Sequence, residues 1–403
     1  MATLYPQQHH FDFAVGPIRA GVQQLRGKLG IAGLLLGLGL FWSVAGVLLT
    51  PNLKFYVWLL SAFAYAPSLY LLVRHYRDAG VMLRERKELW GYLALLAWAL
   101  VTQAWPMDNL DMPLTMVKRE SLFLLLVLGW ALWGRFNAWG LQLMIILWGA
   151  LAGLYALAGL VTYPMRHIDR LFGFGGFMDN PNPAAYSIAC LMIMGLTWWP
   201  RAGWARVLWG ALNLCSLVFV VLSGSRGALL ATAAAAIAYV LAGGRKFHWL
   251  TALVGLGCTG LVLWLDPSLL ARGDSERLEL LRQAVGFIKE HPWVGIGISG
   301  DYRMDMPGQD LEHCHNFILD TAIRYGVIAT GVWLVMWGWV GVQAYRLRHQ
   351  ALGMAALLFW VFACVAIQFD VFALFGRNRA MWLAVWVPVL LVMCLPRKPT
   401  EAP

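Results

Sequence analysis

Two histidines separated by a single cysteine, His313 and His315, stand immediately before a long apolar stretch of the chain. A neutral imidazole at a membrane boundary can accept a proton from a hydroxyl group, which is the chemistry needed to transfer a group onto an alcohol. Histidine and cysteine are also zinc ligands, although this spacing matches no closed zinc module. Asn316, the next residue, is a favoured N-cap residue and predicts that a helix begins here. The residues alone leave three interpretations open: a catalytic base, a metal site and a helix cap.

Arginines in the short polar segments form a second group of candidates. Arg226 stands in LSGSRGALL, where a charge between apolar stretches is costly unless it is paired or faces a hydrated cavity. A guanidinium group stays protonated, and its planar fork of donors matches the oxygens of a phosphate. Together with Arg166, Arg170 and Arg277, it predicts an anionic partner, for which a lipid-linked pyrophosphate is suitable. The alternative is that Arg226 only ends a helix and that the other arginines bind lipid headgroups.

The composition defines the kind of element that must carry these residues. Of the 403 residues, 60% are hydrophobic and only 13% are charged, and the mean hydropathy is +0.63. These values exclude an ordinary soluble domain and indicate an integral membrane protein. The net charge of +10 comes from basic residues in short loops rather than from a basic arm or stripe, so no nucleic-acid partner is predicted. The six scattered cysteines predict neither a disulfide framework nor a C-x-x-C metal site.

Twelve apolar stretches are long enough to cross about 30 Å of hydrocarbon as helices. They cover residues 29–49, 55–73, 89–105, 116–133, 139–163, 184–199, 207–222, 228–241, 249–265, 317–345, 351–375 and 381–395. The fourth and eighth are the weakest predictions, because Lys118, Arg119 and Glu120 interrupt the start of the fourth and the eighth is rich in alanine. The predicted fold class is therefore an all-α integral membrane protein with about twelve transmembrane helices.

The distribution of basic residues predicts how these helices are oriented. Lys and Arg are about twice as frequent in the loops on the side of the N-terminus as in the short loops opposite, which favours cytoplasmic termini. Residues 1–28 are then a cytoplasmic lead, 29–265 nine spans, 266–315 a periplasmic loop, 316–395 three spans and 396–403 a cytoplasmic tail. In a bacterium this topology places the protein in the inner membrane.

The long loop is predicted to contain an amphipathic helix. The segment DSERLELLRQAVGFIKEHP can be capped by Asp274 or Ser275 and stopped by Pro292. Its apolar face consists of Leu278, Leu281, Val285 and Ile288. Such a face favours a position along the membrane surface. In the following span, Asp320 and Arg324 are four residues apart, a spacing that predicts a structural ion pair.

Several motifs resemble those of one known family. HNFILDTAIRYG joins His315 and Asn316 to Gly326 nine residues later, and RLELL places three residues between Arg277 and Leu281. IKEHPWVGIGISG lies between them, while MDNPNPAAYSIAC and SGSRGALL lie earlier in the chain. These segments resemble the O-antigen ligases, whose family also contains O-antigen polymerases and bacterial O-linked oligosaccharyltransferases. The His-Asn pattern is the most specific to ligases, whereas the Asn-Pro-Asn and Ser-Arg segments are shared with the polymerases.

The resemblance implies a GT-C-type membrane glycosyltransferase. Such an enzyme moves a glycan from undecaprenyl diphosphate to the lipid A-core oligosaccharide at the periplasmic face, with inversion and with no metal or other cofactor. It implies that His315 is the general base for the acceptor hydroxyl and that Arg226 and Arg277 hold the departing diphosphate. The candidates for substrate binding are Arg166, Arg170 and Asn182. The implied partners are the lipid-linked glycan donor, the lipid A-core acceptor and membrane lipids.

Three other functions remain as alternatives to the ligase. An O-antigen polymerase joins two lipid-linked repeats, but the His-Asn-x9-Gly pattern and the single moderate loop favour a ligase. An oligosaccharyltransferase that modifies proteins is expected to carry a longer C-terminal part. A polytopic transporter would show an internal repeat of about half the length with broken helices in matching places, and the sequence shows none.

Overall fold

A computed structural model gives the fold of most of the chain. It describes residues 10–11, 15–50, 52–102, 113–243, 257, 260, 275–298, 300–306, 309–370, 374–375 and 381–395. Of the ninth predicted span, only Gly257 and Gly260 are among these residues, and the predicted tail 396–403 lies outside them. The described part is mostly helical, in agreement with the predicted all-α class.

The described part of the chain contains fourteen α-helices. They are α1 (Val15–Leu49), α2 (Leu53–Leu60), α3 (Ala66–Arg74), α4 (Tyr76–Glu85), α5 (Lys87–Val101), α6 (Pro113–Phe136), α7 (Ala138–Arg166), α8 (Pro181–Gly195), α9 (Gly203–Leu222), α10 (Arg226–Leu241), α11 (Ser275–Glu290), α12 (Phe317–Arg346), α13 (Ala351–Ala366) and α14 (Trp382–Cys394). A π-helical turn, Ser61–Tyr65, joins α2 to α3, and a 3₁₀ turn, Gly176–Met178, precedes α8.

Five of the described helical segments are long and apolar enough to cross a membrane. They are Lys28–Leu49, Leu53–Arg74, Trp139–Arg166, Gly203–Leu222 and Phe317–Arg346. Three shorter apolar helices are Arg226–Leu241, Ala351–Ala366 and Trp382–Cys394. The multi-helix membrane character predicted from composition is confirmed, whereas twelve spans and the GT-C type stay predictions. The eleventh predicted span, 351–375, is too long, because its helix α13 ends at Ala366.

Buried tryptophans join the helices of the main core. Trp133 of α6 donates its indole N–H to the Gly33 carbonyl at 3.0 Å, and Trp148 of α7 donates to the Phe41 carbonyl at 3.2 Å. Both carbonyls belong to α1. A large ring fills the apolar space while its single polar atom finds a partner, so these side chains fix α6 and α7 against α1.

A short parallel pairing connects the N-terminal segment to the turn after α8. Strand β1 (His10–Phe11) pairs with β2 (Trp199–Pro200), with His10 opposite Trp199. The two segments therefore lie at the same end of the helix bundle. The basic-residue pattern had also assigned them to one side of the membrane.

The segment between α10 and α12 forms a second, smaller core. The predicted amphipathic helix is present as α11 and buries Leu280 and Ala284 against the start of α12. The predicted apolar face is divided: Leu278 and Leu281 are exposed, whereas Ile288 packs on the small core. An antiparallel hairpin of β3 (Met304–Met306) and β4 (Gln309–Leu311), which was not predicted, follows the helix.

Helix α12 is broken at Gly326, where φ is +75°. The break disrupts the regular helical hydrogen bonding, and a short segment of residues 292–297, hereafter the strap, lies against it. The Val327 N–H donates to the Pro292 carbonyl at 2.8 Å, and the Ile296 N–H donates to the Ile323 carbonyl at 2.9 Å. Because buried backbone groups require hydrogen-bond partners, the strap and the broken helix satisfy each other's backbone groups.

Candidate active site

His315 stands in a tight turn at the start of α12. Its φ is +54°, in the left-handed region that is uncommon for residues other than glycine. Asn316 is the N-cap, as predicted, because its side-chain oxygen accepts from the Leu319 N–H at 3.1 Å. The Asn316 amide also donates to the Gln368 side chain at 3.1 Å, and the Phe317 N–H donates to the Ile367 carbonyl. The turn is therefore held against the residues that follow α13.

Those residues bring a carboxylate to His315. The His315 Nδ1 atom lies 3.4 Å from Asp370 Oδ1, with side-chain exposures of 33% and 14%. The distance is longer than a well-formed hydrogen bond, as is common for catalytic pairs before substrate binds. A carboxylate beside Nδ1 favours the tautomer that carries its proton there, which leaves Nε2 able to accept a proton. His313 packs edge-on against His315, with ring centroids 4.2 Å apart.

A buried polar network supports the turn from inside the protein. Asp320, which is fully buried, accepts from the Tyr302 hydroxyl at 2.6 Å and pairs with Arg324 Nε at 3.1 Å. The predicted ion pair is therefore confirmed. Burial raises the pKa of both Tyr302 and Cys314, and the nearby Asp320 carboxylate raises them further. The pKa of the Cys314 thiol reaches about 11. Cys314 is consequently a neutral thiol at physiological pH in this environment.

Arg277, in the first turn of α11, contacts the residues that follow α13. Its guanidinium lies over the ring of Phe369, 4.8 Å from the centroid. Phe369 directly precedes Asp370 in the chain. The cation is thus held against the residue that precedes Asp370, while the Arg277 side chain stays accessible to an anion.

Arg226 occupies the first position of α10 and is half-buried. The next residue, Gly227, lies directly against the Tyr186 hydroxyl, and a Cβ added to it would also come within 3.0 Å of Phe369. The start of α10 therefore contacts the residue on which Arg277 rests. In this way the structure brings the neighbourhoods of Arg226, Arg277 and His315 together.

Arg170 and Asn182 hold the turn before Arg226. Arg170 Nε donates to the Ser223 carbonyl at 2.7 Å, and its Nη2 donates to the Asn182 side chain at 2.9 Å. A Cβ added to Gly224, which has a φ of +62°, would lie 3.3 Å from Arg170 Nε. These contacts fix the SGSR turn by joining it to the loop after α7 and, through Arg170, to the start of α8.

Arg166 has a different environment from the other arginines. Its two terminal nitrogens donate to the carbonyls of Phe172 at 2.7 Å and Gly173 at 2.9 Å. Its guanidinium also lies over the rings of Phe172 and Phe174. These contacts order the loop between α7 and α8.

Two functional candidates were missed by reasoning from the sequence. Neither Asp370 nor Tyr186 was assigned to the site. Only contacts between distant segments reveal them, since Asp370 follows His315 by 55 positions and Tyr186 precedes it by 129. Within the described residues, no group of three or more His, Cys, Asp or Glu side chains is placed to hold a metal ion.

These features define a multi-pass membrane protein with a histidine–carboxylate pair and arginines gathered at the ends of helices. Residues 211–334, which include Arg226, Arg277 and His315, match the family model described as O-antigen ligase. An O-antigen ligase of Pseudomonas aeruginosa is 28% identical over 232 residues, which are 56% of this chain and 57% of that protein. The family resemblance inferred from the motifs is thereby confirmed for residues 211–334, and the chain spans little more than half the length of this relative.

Proposed function

We propose that this protein is an O-antigen ligase, a glycosyltransferase of the GT-C type that transfers a glycan from undecaprenyl diphosphate to lipid A-core. The observation that carries the proposal is the His315–Asp370 pair beside Arg277. A base and a cation side by side suit a reaction in which a hydroxyl attacks a carbon and an anionic group departs. The matched family region supports the same reaction class.

His315 is the proposed general base. Asp370 faces Nδ1, so Nε2 takes the proton from the acceptor hydroxyl as its oxygen forms the new bond to the anomeric carbon. The bond from that carbon to the diphosphate breaks, and its electron pair goes to the phosphate oxygen. A single displacement of this kind inverts the configuration at the anomeric carbon.

Arg226 and Arg277 are the proposed clamp for the departing diphosphate. A diphosphate needs stabilisation of its charge more than it needs a proton, and guanidinium groups supply both charge and paired donors. The proposed mechanism therefore requires no divalent metal. We assign Arg170 and Asn182 to holding the turn that carries Arg226, at the edge of the binding site, and Arg166 to ordering the adjacent loop.

The proposed location is the bacterial inner membrane, with both termini in the cytoplasm and the site on the periplasmic face. The pairing of β1 with β2 supports a common side for the N-terminal segment and the turn after α8. On this topology the segment 266–315 is periplasmic. Exposed Leu278 and Leu281 of α11 are then available to membrane lipids.

The test uses a bacterial strain that lacks its O-antigen ligase. Expression of this protein is expected to restore the ladder of O-antigen on lipopolysaccharide, and His315→Ala is expected to abolish it at equal protein level in the membrane. The matched control is His349→Ala, because His349 is exposed in the short connection between α12 and α13. If the wild-type protein restores no ladder while lipid-linked polymer accumulates, the proposal is wrong. Extension of lipid-linked repeats by the purified protein without lipid A-core would instead identify a polymerase.

A further inference from the structure

Tyr186 of α8 carries a buried hydroxyl at the centre of the candidate site. The residue is only 2% exposed, and its oxygen makes no hydrogen bond among the described residues. Its ring packs edge-on against Phe362, with centroids 6.1 Å apart. A buried donor without a partner is unfavourable unless the working state of the protein supplies one.

The surroundings of this hydroxyl contain the charged groups of the site. Gly227 touches it so closely that any side chain at that position would displace it. The same Gly227 position also lies against Phe369, so the hydroxyl is beside the segment that carries Asp370, and both Asp370 and Arg277 interact with it electrostatically. The hydroxyl therefore points into the space between the starts of α10 and α11 and the residues after α13.

We infer that Tyr186 is a positioning residue of the transfer reaction, whose hydroxyl donates to the Asp370 carboxylate and holds it against His315 Nδ1. This inference rests on the proposed function, in which His315 is the general base. One oxygen of Asp370 faces His315, and a second donor on the carboxylate limits its rotation. A rigid carboxylate keeps the imidazole in one orientation and one tautomer, which a base must retain throughout the reaction.

The geometry also gives a reason for the glycine that follows Arg226. Gly227 leaves room for the Tyr186 hydroxyl beside the first turn of α10. A residue with a side chain at 227 would push the ring away from Asp370. The SGSRG motif and the tyrosine of NPNPAAY are thus parts of one arrangement.

The first experiment compares purified full-length Tyr186→Phe with Tyr92→Phe. Tyr92 is the matched control because its hydroxyl is also buried and makes no hydrogen bond among the described residues, but it lies on α5 among the rings of Phe123 and Trp386. Removal of the Tyr186 hydroxyl is expected to lower kcat about tenfold, with the KM of both substrates within about twofold. Tyr92→Phe is expected to keep the wild-type kcat. Equal kcat values for the two variants would overturn the inference.

The second experiment does not depend on ligase activity. Diethyl pyrocarbonate acylates accessible neutral imidazoles, and mass spectrometry can follow the modification of His315 and of the exposed His349 separately. Asp370→Asn is expected to slow the modification of His315 several-fold, because Nε2 loses the support of the carboxylate. Tyr186→Phe should also slow the modification of His315. The double variant should be modified at His315 no more slowly than Asp370→Asn alone, and the rate for His349 should be unchanged in all variants.

The two proposals can fail separately. An additional slowing in the double variant, or a His315 rate in Tyr186→Phe that equals the wild type, would show that Tyr186 does not act through Asp370. Transfer activity that persists in His315→Ala would instead overturn the proposed base, while the modification rates would still decide the role of Tyr186.

Discussion

Gly326 lies so close to the backbone of Trp293 that no side chain fits between the two residues. Trp293 belongs to the strap, which connects α11 to the small core, and Gly326 is the break in α12. Arg277 is carried by α11 and His315 by the turn before α12, so this contact helps to set the arginine relative to the histidine. The nine residues between the His-Asn pair and Gly326 therefore set how far from the histidine turn the strap contacts α12.

Gly326→Ala should therefore lower both stability and activity. The φ of +75° costs a residue with a side chain about 1–3 kcal/mol, and the new Cβ would also overlap the backbone of the strap. The melting temperature of the detergent-solubilised protein is expected to fall by several degrees. The matched control is Gly338→Ala in the same helix, since a Cβ there meets no atom within 4 Å. Equal melting temperatures for the two variants would show that the strap tolerates displacement.

The sequence predicts the spanning helices well because hydropathy is a property of contiguous residues. The apolar segments of α1, α7, α9 and α12 appear near their predicted bounds. The break at Gly326 was not predicted, since a glycine within an apolar helix has the same local pattern whether the helix bends or not. The hairpin of β3 and β4 was missed for a related reason: strands of three residues are too short for an alternating pattern to be recognised.

The site could be predicted only in part. His315, Arg226 and Arg277 stand in recognisable motifs, and the 3.6-residue helical period was sufficient to predict the pair of Asp320 and Arg324. Asp370 could not be assigned to His315, because no local pattern encodes contacts between the turn before α12 and the residues after α13. The support of Arg226 by the Arg170–Asn182 contact depends on such long-range contacts as well.

Asp320→Asn tests whether the network beneath the histidine turn maintains its structure. Loss of the Asp320 charge leaves Arg324 in a largely buried position without its ion-pair partner, and breaking a buried pair costs about 3–5 kcal/mol. The melting temperature should fall markedly, and O-antigen transfer should decrease with it. The control is Glu279→Gln, which breaks the solvent-exposed pair with Arg282 and should change stability by at most about 1 kcal/mol. Similar stability losses in both variants would contradict the structural role of Asp320.

Cys314 should resist alkylation in the native protein. Burial and the Asp320 carboxylate raise its pKa to about 11, so only about one thiol in ten thousand is ionised at pH 7. Because the pKa is raised, the thiolate fraction and the rate of reaction with iodoacetamide should rise about tenfold per pH unit from this low value and level off only above about pH 11. Peptide mapping at pH 7.5 is expected to find Cys314 unmodified before denaturation and modified after it. Rapid labelling of the native protein would contradict a buried, neutral thiol at this position.

Phe369→Leu tests whether the aromatic ring positions Arg277 for the diphosphate. The guanidinium over the ring gains about 0.5–1 kcal/mol from this contact, which corresponds to a factor of about two to five in affinity. Loss of the ring should raise the KM for the lipid-linked donor by that factor, with a smaller effect on the KM for lipid A-core. Phe369→Tyr retains the aromatic face and should stay near the wild-type value.

The control for this effect is Tyr345→Leu at the other end of α12, where Arg348 lies 4.0 Å from the centre of the Tyr345 ring. Both substitutions remove a ring from beneath an arginine, but only Phe369 adjoins the carboxylate that faces His315. Steady-state rates with separately varied donor and acceptor distinguish the two cases. Arg277 is proposed to contact the donor alone. An equal increase in the KM for the donor and for lipid A-core would therefore show that Phe369 supports the fold of the site and does not act through Arg277.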